Sequence, residues 1–132
     1  MAITLASLSK RLWIPMAKTY AYPDVMIIEG ELQFQEGRRD ALTNPIIIAE
    51  VLSTSTEDFY RGKKIAAYRT IPTFKEYILI DQYTMQVEQF TKTESGQWLL
   101  SEHKGEDSKL SLKFIDFEIN LANLYDKVNF DL

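Results

Sequence analysis

The strongest constraint on the fold is one apolar, largely β-branched run in the middle of the chain, 45–52 (Pro-Ile-Ile-Ile-Ala-Glu-Val-Leu). A nearly continuous run of this kind is typical of a central strand that is covered on both faces of a sheet. Glu50 stands in the run where the pattern calls for an apolar side chain. A buried carboxylate loses several kcal/mol of hydration unless a cation or strong hydrogen-bond donors replace the water. The run therefore predicts a central strand and marks Glu50 as a candidate functional residue.

A second acid and a lysine complete a possible catalytic set. Asp24 precedes the apolar run 25–28, and Lys64 ends the segment Arg61-Gly-Lys-Lys. Two carboxylates and a lysine are the minimum needed to hold a divalent metal against a phosphodiester and to position an attacking water. Taken singly, each residue has a plainer interpretation. In it Asp24 only starts a strand, and Lys64 pairs with Glu57 or Glu50 while its stem packs.

Lys64 is expected on a helix that packs against the sheet. The sequence Thr54-Ser-Thr-Glu57 has the spacing of a capping box, and it predicts a helix over 56–70 that ends before Pro72. At 100° per residue, Lys64 shares a face with Tyr68, whereas Lys63 points about a quarter turn away. We expect Tyr68 to pack in the core and to steady Lys64, which would then reach towards Glu50.

The remaining pattern predicts a single α/β or α+β domain over 1–132. Leu5, Leu8 and Leu12 have helical spacing, which predicts a short amphipathic helix over about 3–12. The polar stretch 30–44 predicts a hairpin tip or mobile loop. The other predicted elements are strands at 23–29 and 74–81, an antiparallel hairpin of 85–91 and 97–103, short strands near 110–112 and 117–119, and a helical turn at 121–125.

Composition excludes several classes of function. The chain has no cysteine, which excludes disulfides and cysteine-based metal sites, and its single histidine, His103, cannot build a typical zinc site. A net charge of −4 argues against a sequence-independent polyanion binder, although Arg61 and Lys63 could supply local contacts to a substrate. No secretory signal or membrane-spanning run is apparent, so we expect a cytoplasmic protein without membrane contact.

Asp81 also ends an apolar strand, 77–80. It could be a further acid near the site, but a capping or turn role is favoured.

The order of these motifs resembles the Uma-two family of the PD-(D/E)xK nuclease superfamily. The resemblance is carried by the Pro-Asp pair at 23–24, by the strand ending Glu-Val-Leu-Ser at 50–53, by Arg-Gly-Lys-Lys at 61–64, by Ala-Tyr-Arg at 67–69 and by Tyr-Ile-Leu-Ile-Asp at 77–81. It implies a restriction-endonuclease-like α/β fold, with a mixed central sheet, flanking helices and a C-terminal antiparallel hairpin.

The resemblance also assigns roles. Asp24 and Glu50, with the carbonyl of Val51, would bind Mg²⁺ or Mn²⁺, and Lys64 would be the motif lysine. The superfamily usually places that lysine two residues beyond the acid, where this chain has Leu52, and the family moves it to the following helix. The implied reaction is hydrolysis of phosphodiester bonds in DNA. The alternative is a catalytically inactive or truncated nuclease fold that serves in binding or assembly, which Tyr60 favours because the family often has an acid there.

A last expectation concerns assembly. Family members usually carry further helical sequence at the N-terminus, and this chain is expected to lack it. Sheet surface left uncovered in this way is commonly buried against another subunit. The sequence therefore predicts a homodimer, with the expected N-terminal helix and Trp13 at or near the contact.

Overall fold

The computed structural model describes residues 3–7, 11–53, 59–128 and 130, and it describes the backbone alone for 3–7, 60 and 61. Its strands are β1 (Ile3–Ser7), β2 (Arg11–Ile14), β3 (Thr19–Ala21), β4 (Val25–Glu29), β5 (Ala41–Leu42), β6 (Ile47–Leu52), β7 (Glu76–Asp81), β8 (Gln86–Lys92), β9 (Trp98–Lys104), β10 (Lys109–Ser111) and β11 (Glu118–Asn120). A π-helical turn, Tyr60–Lys64, continues into helix α1 (Ile65–Tyr68), and helix α2 (Leu121–Leu124) follows β11.

The main sheet has the strand order β1-β4-β6-β7-β8-β9 among the described residues. Strands β6 and β7 are parallel, and the other neighbours are antiparallel. The predicted mixed sheet and its central strand β6 are therefore confirmed, as is the antiparallel hairpin of β8 and β9. A parallel pair needs a crossover connection, and the helical segment that ends in α1 provides it.

The two faces of the main sheet carry separate cores. One face packs Ile48, Leu52 and Leu79 against Ile65 and Tyr68 of the helical segment. The opposite face packs other sheet residues against the C-terminal segment that includes β10 and α2. Glu50 follows Ile48 by two residues, so alternation along the strand places its side chain on the same face as the helix.

The expected N-terminal helix over 3–12 is wrong where the structure describes it. Residues Ile3–Ser7 form β1, which pairs with β4, and Arg11–Ile14 form β2, while Leu8 lies outside the described residues. In β2, Leu12 and Ile14 are buried and alternate with less buried residues, which is the period of a strand. Pairing with distant strands overrides the helical spacing of the three leucines, as tertiary context often overrides local preference.

A small second sheet, in the order β3-β2-β5, was not predicted. Its strand β5 lies in the stretch expected to be only a hairpin tip or loop, and both residues of β5 are buried. The hairpin part of that expectation holds, because the Gln35 N–H donates to the Ala41 carbonyl (2.8 Å) and the Thr43 N–H donates to the Gln33 carbonyl (3.0 Å). Strand β5 forms because it pairs in parallel with β2.

The described part of the helical segment lies within the expected range 56–70 and ends before Pro72, at Tyr68. The capping box at 54–57 lies outside the described residues. None of the described helices is long and apolar enough to cross a membrane.

Candidate functional site

Strand pairing brings the two candidate acids together. Val25 of β4 lies opposite Ala49 of β6 in an antiparallel pair, so the next pair outward is Asp24 and Glu50. The backbone N–H of Asp24 donates to Oε1 of Glu50 (3.1 Å), and the backbone N–H of Val51 donates to Oδ2 of Asp24 (2.8 Å). Each carboxylate therefore accepts a hydrogen bond from the backbone of the neighbouring segment. The bond from Val51 uses Oδ2 of Asp24 and does not involve its Oδ1.

Glu50 is almost fully buried, with 1% of its surface exposed. Burial is the main reason that its pKa is raised from 4.5 to about 7, and the negative charge of Asp24 acts in the same direction. The N–H of Asp24, the charge of Lys64 and the hydroxyl of Tyr68 oppose this shift in pKa without cancelling it. Perturbed carboxylates of this kind cluster at functional sites, where a cation restores the charged form.

Lys64 and Tyr68 reach the same place from the helical segment. The Tyr68 hydroxyl donates to Oε2 of Glu50 (3.4 Å), and Tyr68 itself is fully buried. The Lys64 Nζ lies 5.8 Å from the centre of the Tyr68 ring and 5.2 Å from that of Phe59, within cation–π range. The π-helical turn that ends at Lys64 does not follow the 100° wheel, yet Lys64 and Tyr68 remain neighbours. Such turns occur frequently at functional sites.

The other predicted site residues are placed as follows. Val51 is adjacent to both acids, and its side chain is 47% exposed. Lys63 is exposed, and the side chain of Arg61 lies outside the described part of the structure. Asp81 accepts the backbone N–H groups of Tyr83 (2.7 Å) and Thr84 (3.0 Å), so its carboxylate closes the turn after β7.

The donor set at Asp24 and Glu50 fits a hard divalent cation. Carboxylate oxygens are the ligands that Mg²⁺ prefers, and this ion often takes one or two carboxylates while substrate phosphate and water complete its shell. Among the described residues there is no group of three or more His, Cys, Asp or Glu side chains that could hold a metal. The protein would therefore supply Asp24, Glu50 and a backbone carbonyl such as that of Val51.

Sequence inspection missed a second buried acid, Glu76, on the opposite face of the sheet. Its carboxylate accepts the Gln89 side-chain amide (2.6 Å) and the backbone N–H groups of Lys113 (3.0 Å) and Phe114 (3.2 Å). These bonds fasten the C-terminal segment to β7. Glu76 begins β7, and the only signal in the sequence was a glutamate directly before an apolar run.

Comparison with known proteins places the chain in a family. The family model described as "Uma2: Putative restriction endonuclease" matches residues 1–122. The chain is 47% identical over 105 residues to the uncharacterized protein sll1609 of Synechocystis sp., a match that covers 80% of this chain and 59% of that protein. It is 31% identical over 84 residues to the uncharacterized protein slr1290 of the same organism, covering 64% of this chain and 44% of that protein. The chain thus spans about half the length of these curated relatives.

A crystal structure of a "putative nuclease belonging to DUF820" from Anabaena variabilis has the same fold. It superposes with a TM-score of 0.73 over 93% of this chain and 68% of that chain, at 14% sequence identity. The likeness confirms the predicted restriction-endonuclease-like α/β fold. Because the family model matches residues 1–122 of the 132 in the chain, this protein belongs to the Uma2 family.

Proposed function

We propose that this chain is a metal-dependent nuclease that hydrolyses phosphodiester bonds in DNA. The observation that carries the proposal is the placement of Asp24, directly before β4, beside Glu50 of β6, with Lys64 close enough for its charge to act on Glu50. Membership in a family described as restriction endonucleases supports it, as does the nuclease description of the structural neighbour.

In this mechanism a bound Mg²⁺ or Mn²⁺ would polarise the scissile phosphate and lower the pKa of a water molecule. Glu50 lies on β6, and Asp24 directly precedes β4 and accepts the backbone N–H of Val51, so the main sheet positions both carboxylates. Lys64 orients the attacking water and stabilises the charge that develops on the phosphate oxygens. Tyr68 fixes one oxygen of Glu50 from the helix side and limits access of bulk water.

Nicking of a supercoiled plasmid in the presence of Mg²⁺ or Mn²⁺ tests the proposal directly. Lys64→Ala should abolish nicking and leave metal binding largely intact, because the lysine acts on water and phosphate. Lys63→Ala is the matched control, since it removes the same charge from the neighbouring, exposed position and should only weaken substrate affinity. Equal losses of activity from the two substitutions would show that Lys64 has no special role.

The second candidate is a catalytically inactive nuclease fold that acts in binding or assembly. The absence of a third acid beside Asp24 and Glu50 among the described residues favours it, and so does the engagement of both carboxylates by backbone N–H groups. Metal-dependent stabilisation of the fold without any nicking would favour this alternative.

We also propose a homodimer. The main sheet has a wholly apolar groove of about 370 Å³ on the face opposite the site, lined by residues that include Ile27, Ala49, Ile80 and Phe117. The first part of the expected contact, an N-terminal helix, is not present in the described residues. Trp13 packs against Tyr20 of its own chain (4.8 Å between ring centres). Sedimentation should give a dimer that Phe117→Asp dissociates, whereas a monomer at all accessible concentrations would contradict the proposal.

A further inference from the structure

Among the side chains that the structure describes, two aromatic rings lie against the ammonium group of Lys64. The Nζ atom is 5.2 Å from the centre of the Phe59 ring and 5.8 Å from the centre of the Tyr68 ring. A lysine ammonium within about 6 Å of a ring centre is attracted to the face of that ring. Phe59 and Tyr68 therefore hold the same charge, and we call these three residues the aromatic clamp.

The π-helical turn brings Phe59 to Lys64. These residues are five apart, and at about 100° per residue an α-helix would point them about 140° away from each other. In a π-helix the hydrogen bonds join residues five apart, so such residues lie one turn apart on the same face. Phe59 has helical backbone angles (φ −63°, ψ −46°) and directly precedes the π-helical turn Tyr60–Lys64. The irregular turn thus makes a contact that a regular helix would not make.

The second ring ties the clamp to the candidate site. Lys64 directly precedes α1 (Ile65–Tyr68), and residues four apart are neighbours on an α-helix. The hydroxyl of Tyr68 donates to Oε2 of Glu50 (3.4 Å). The ring that contacts the ammonium of Lys64 therefore belongs to the side chain that also contacts the carboxylate of Glu50.

Phe59 differs from Tyr68 in its surroundings. Tyr68 is fully buried, whereas 48% of Phe59 is exposed. Since the stabilisation from burial grows with the apolar area removed from water, a half-exposed ring adds less to folding than a buried one. A lysine side chain is long and flexible, and it loses rotamer freedom wherever its end is held. The contact with Phe59 therefore acts mainly on where the Lys64 ammonium lies.

We propose that Phe59 is a positioning residue that holds the Lys64 ammonium beside Glu50 for the hydrolysis step. The inference rests on the proposed function, because it adds a residue that acts through Lys64 in that reaction. An ammonium that is already in place meets the attacking water and the phosphate without the entropy cost of ordering a free lysine side chain. In this role Phe59 makes no contact with the reacting groups.

Nuclear magnetic resonance can follow the position of Lys64 without any activity. In a ¹H–¹³C correlation spectrum of protein with ¹³C-labelled lysine, recorded in EDTA without DNA, ring currents should shift the ε-methylene signal of Lys64 upfield of that of exposed Lys63. Phe59→Leu should move the Lys64 signal towards that of Lys63. Phe59→Tyr, which keeps a ring, should leave the signal near its parent position.

Phe130→Leu is the matched control. Phe130 is also partly exposed (39%), but its ring packs against Tyr125 with 5.5 Å between ring centres. The substitution removes a phenylalanine ring from another part of the chain, so the Lys64 signal should not move. Matching thermal unfolding curves would show that all three variants remain folded.

Nicking of a supercoiled plasmid in Mn²⁺ tests the role of the clamp in the reaction. Phe59→Leu should lower kcat by about threefold and leave KM unchanged, because the lost contact acts on the step that follows DNA binding. Leucine keeps an apolar side chain without a ring, so this variant separates loss of the ring from loss of apolar contact. Phe59→Tyr and Phe130→Leu should both keep the parent kcat.

The outcomes separate the two proposals. A Lys64 signal that moves in Phe59→Leu, together with a lower kcat, supports the positioning role. A Lys64 signal that Phe59→Leu leaves in place overturns that role, even if the parent nicks DNA and the proposed function stands. A moved signal with the parent kcat also overturns it, because the contact then has no part in the reaction. If the parent nicks no DNA, the proposed function fails, while a moved signal still supports the hold of Phe59 on Lys64.

Discussion

Replacement of Glu50 by glutamine should make the protein more stable at neutral pH and above, but not below pH 4.5. The pKa of Glu50 is raised from 4.5 to about 7 because its carboxyl group is buried. Below pH 4.5 the group is protonated in both the folded and the unfolded chain, so it costs nothing there. As the pH rises from 4.5 to about 7 the unfolded chain ionises first, and the stability of the parent protein falls.

The size of the effect follows from the two pKa values. Their difference, at about 1.4 kcal/mol per pKa unit, corresponds to about 3 kcal/mol above pH 7. Glutamine keeps an oxygen that can accept the N–H of Asp24 and is neutral at every pH, so it behaves like the protonated carboxyl group. Glu50→Gln should therefore exceed the parent in free energy of unfolding by about 3 kcal/mol at pH 8.

Urea denaturation in EDTA at several pH values from 4 to 8 measures this difference, and EDTA keeps metal from compensating the charge. The comparison between variant and parent isolates Glu50 from other titrating groups, including the second buried acid Glu76. Glu106→Gln, which removes an exposed carboxylate, is the control and should follow the parent. A Glu50→Gln variant that differs from the parent by the same amount at every pH would refute the reasoning.

Three further results are expected. Mn²⁺ or Mg²⁺ should raise the thermal stability of the parent, because a ligand that binds the folded state stabilises it. Asp24→Asn or Glu50→Gln should remove that response. If both variants respond as the parent does, the proposed metal ligands are wrong. Tyr125→Phe should lower the free energy of unfolding by about 1 kcal/mol in urea, because the hydroxyl bonds to backbone groups of the β7–β8 turn. Glu76→Leu should lower the free energy of unfolding by at least about 2 kcal/mol, because it leaves the backbone N–H of Lys113 and other buried donors without their acceptor. An unchanged free energy of unfolding would show that other groups replace these bonds.

Local pattern was sufficient for the centre of the fold. The apolar run that forms β6 and the hairpin of β8 and β9 could be predicted because their residues pair with near neighbours or are buried on both faces. Asp24, Glu50 and Lys64 could be predicted as site residues because each charge stands where the surrounding pattern calls for an uncharged residue. The order of the motifs along the chain indicated the family.

Pairing between strands far apart in the chain determined the features that the sequence pattern did not predict. The leucine spacing at the N-terminus fits a helix, but partners in β4 and β5 make that region two strands. The same long-range pairing sets Asp24 opposite Glu50, and burial in the folded protein raises the pKa of the glutamate. The residues that are chemically unusual can be recognised from the amino-acid sequence. Which of them meet, and how they ionise, depends on the folded structure, because hydrogen-bond partners and loss of hydration come from segments far apart in the chain.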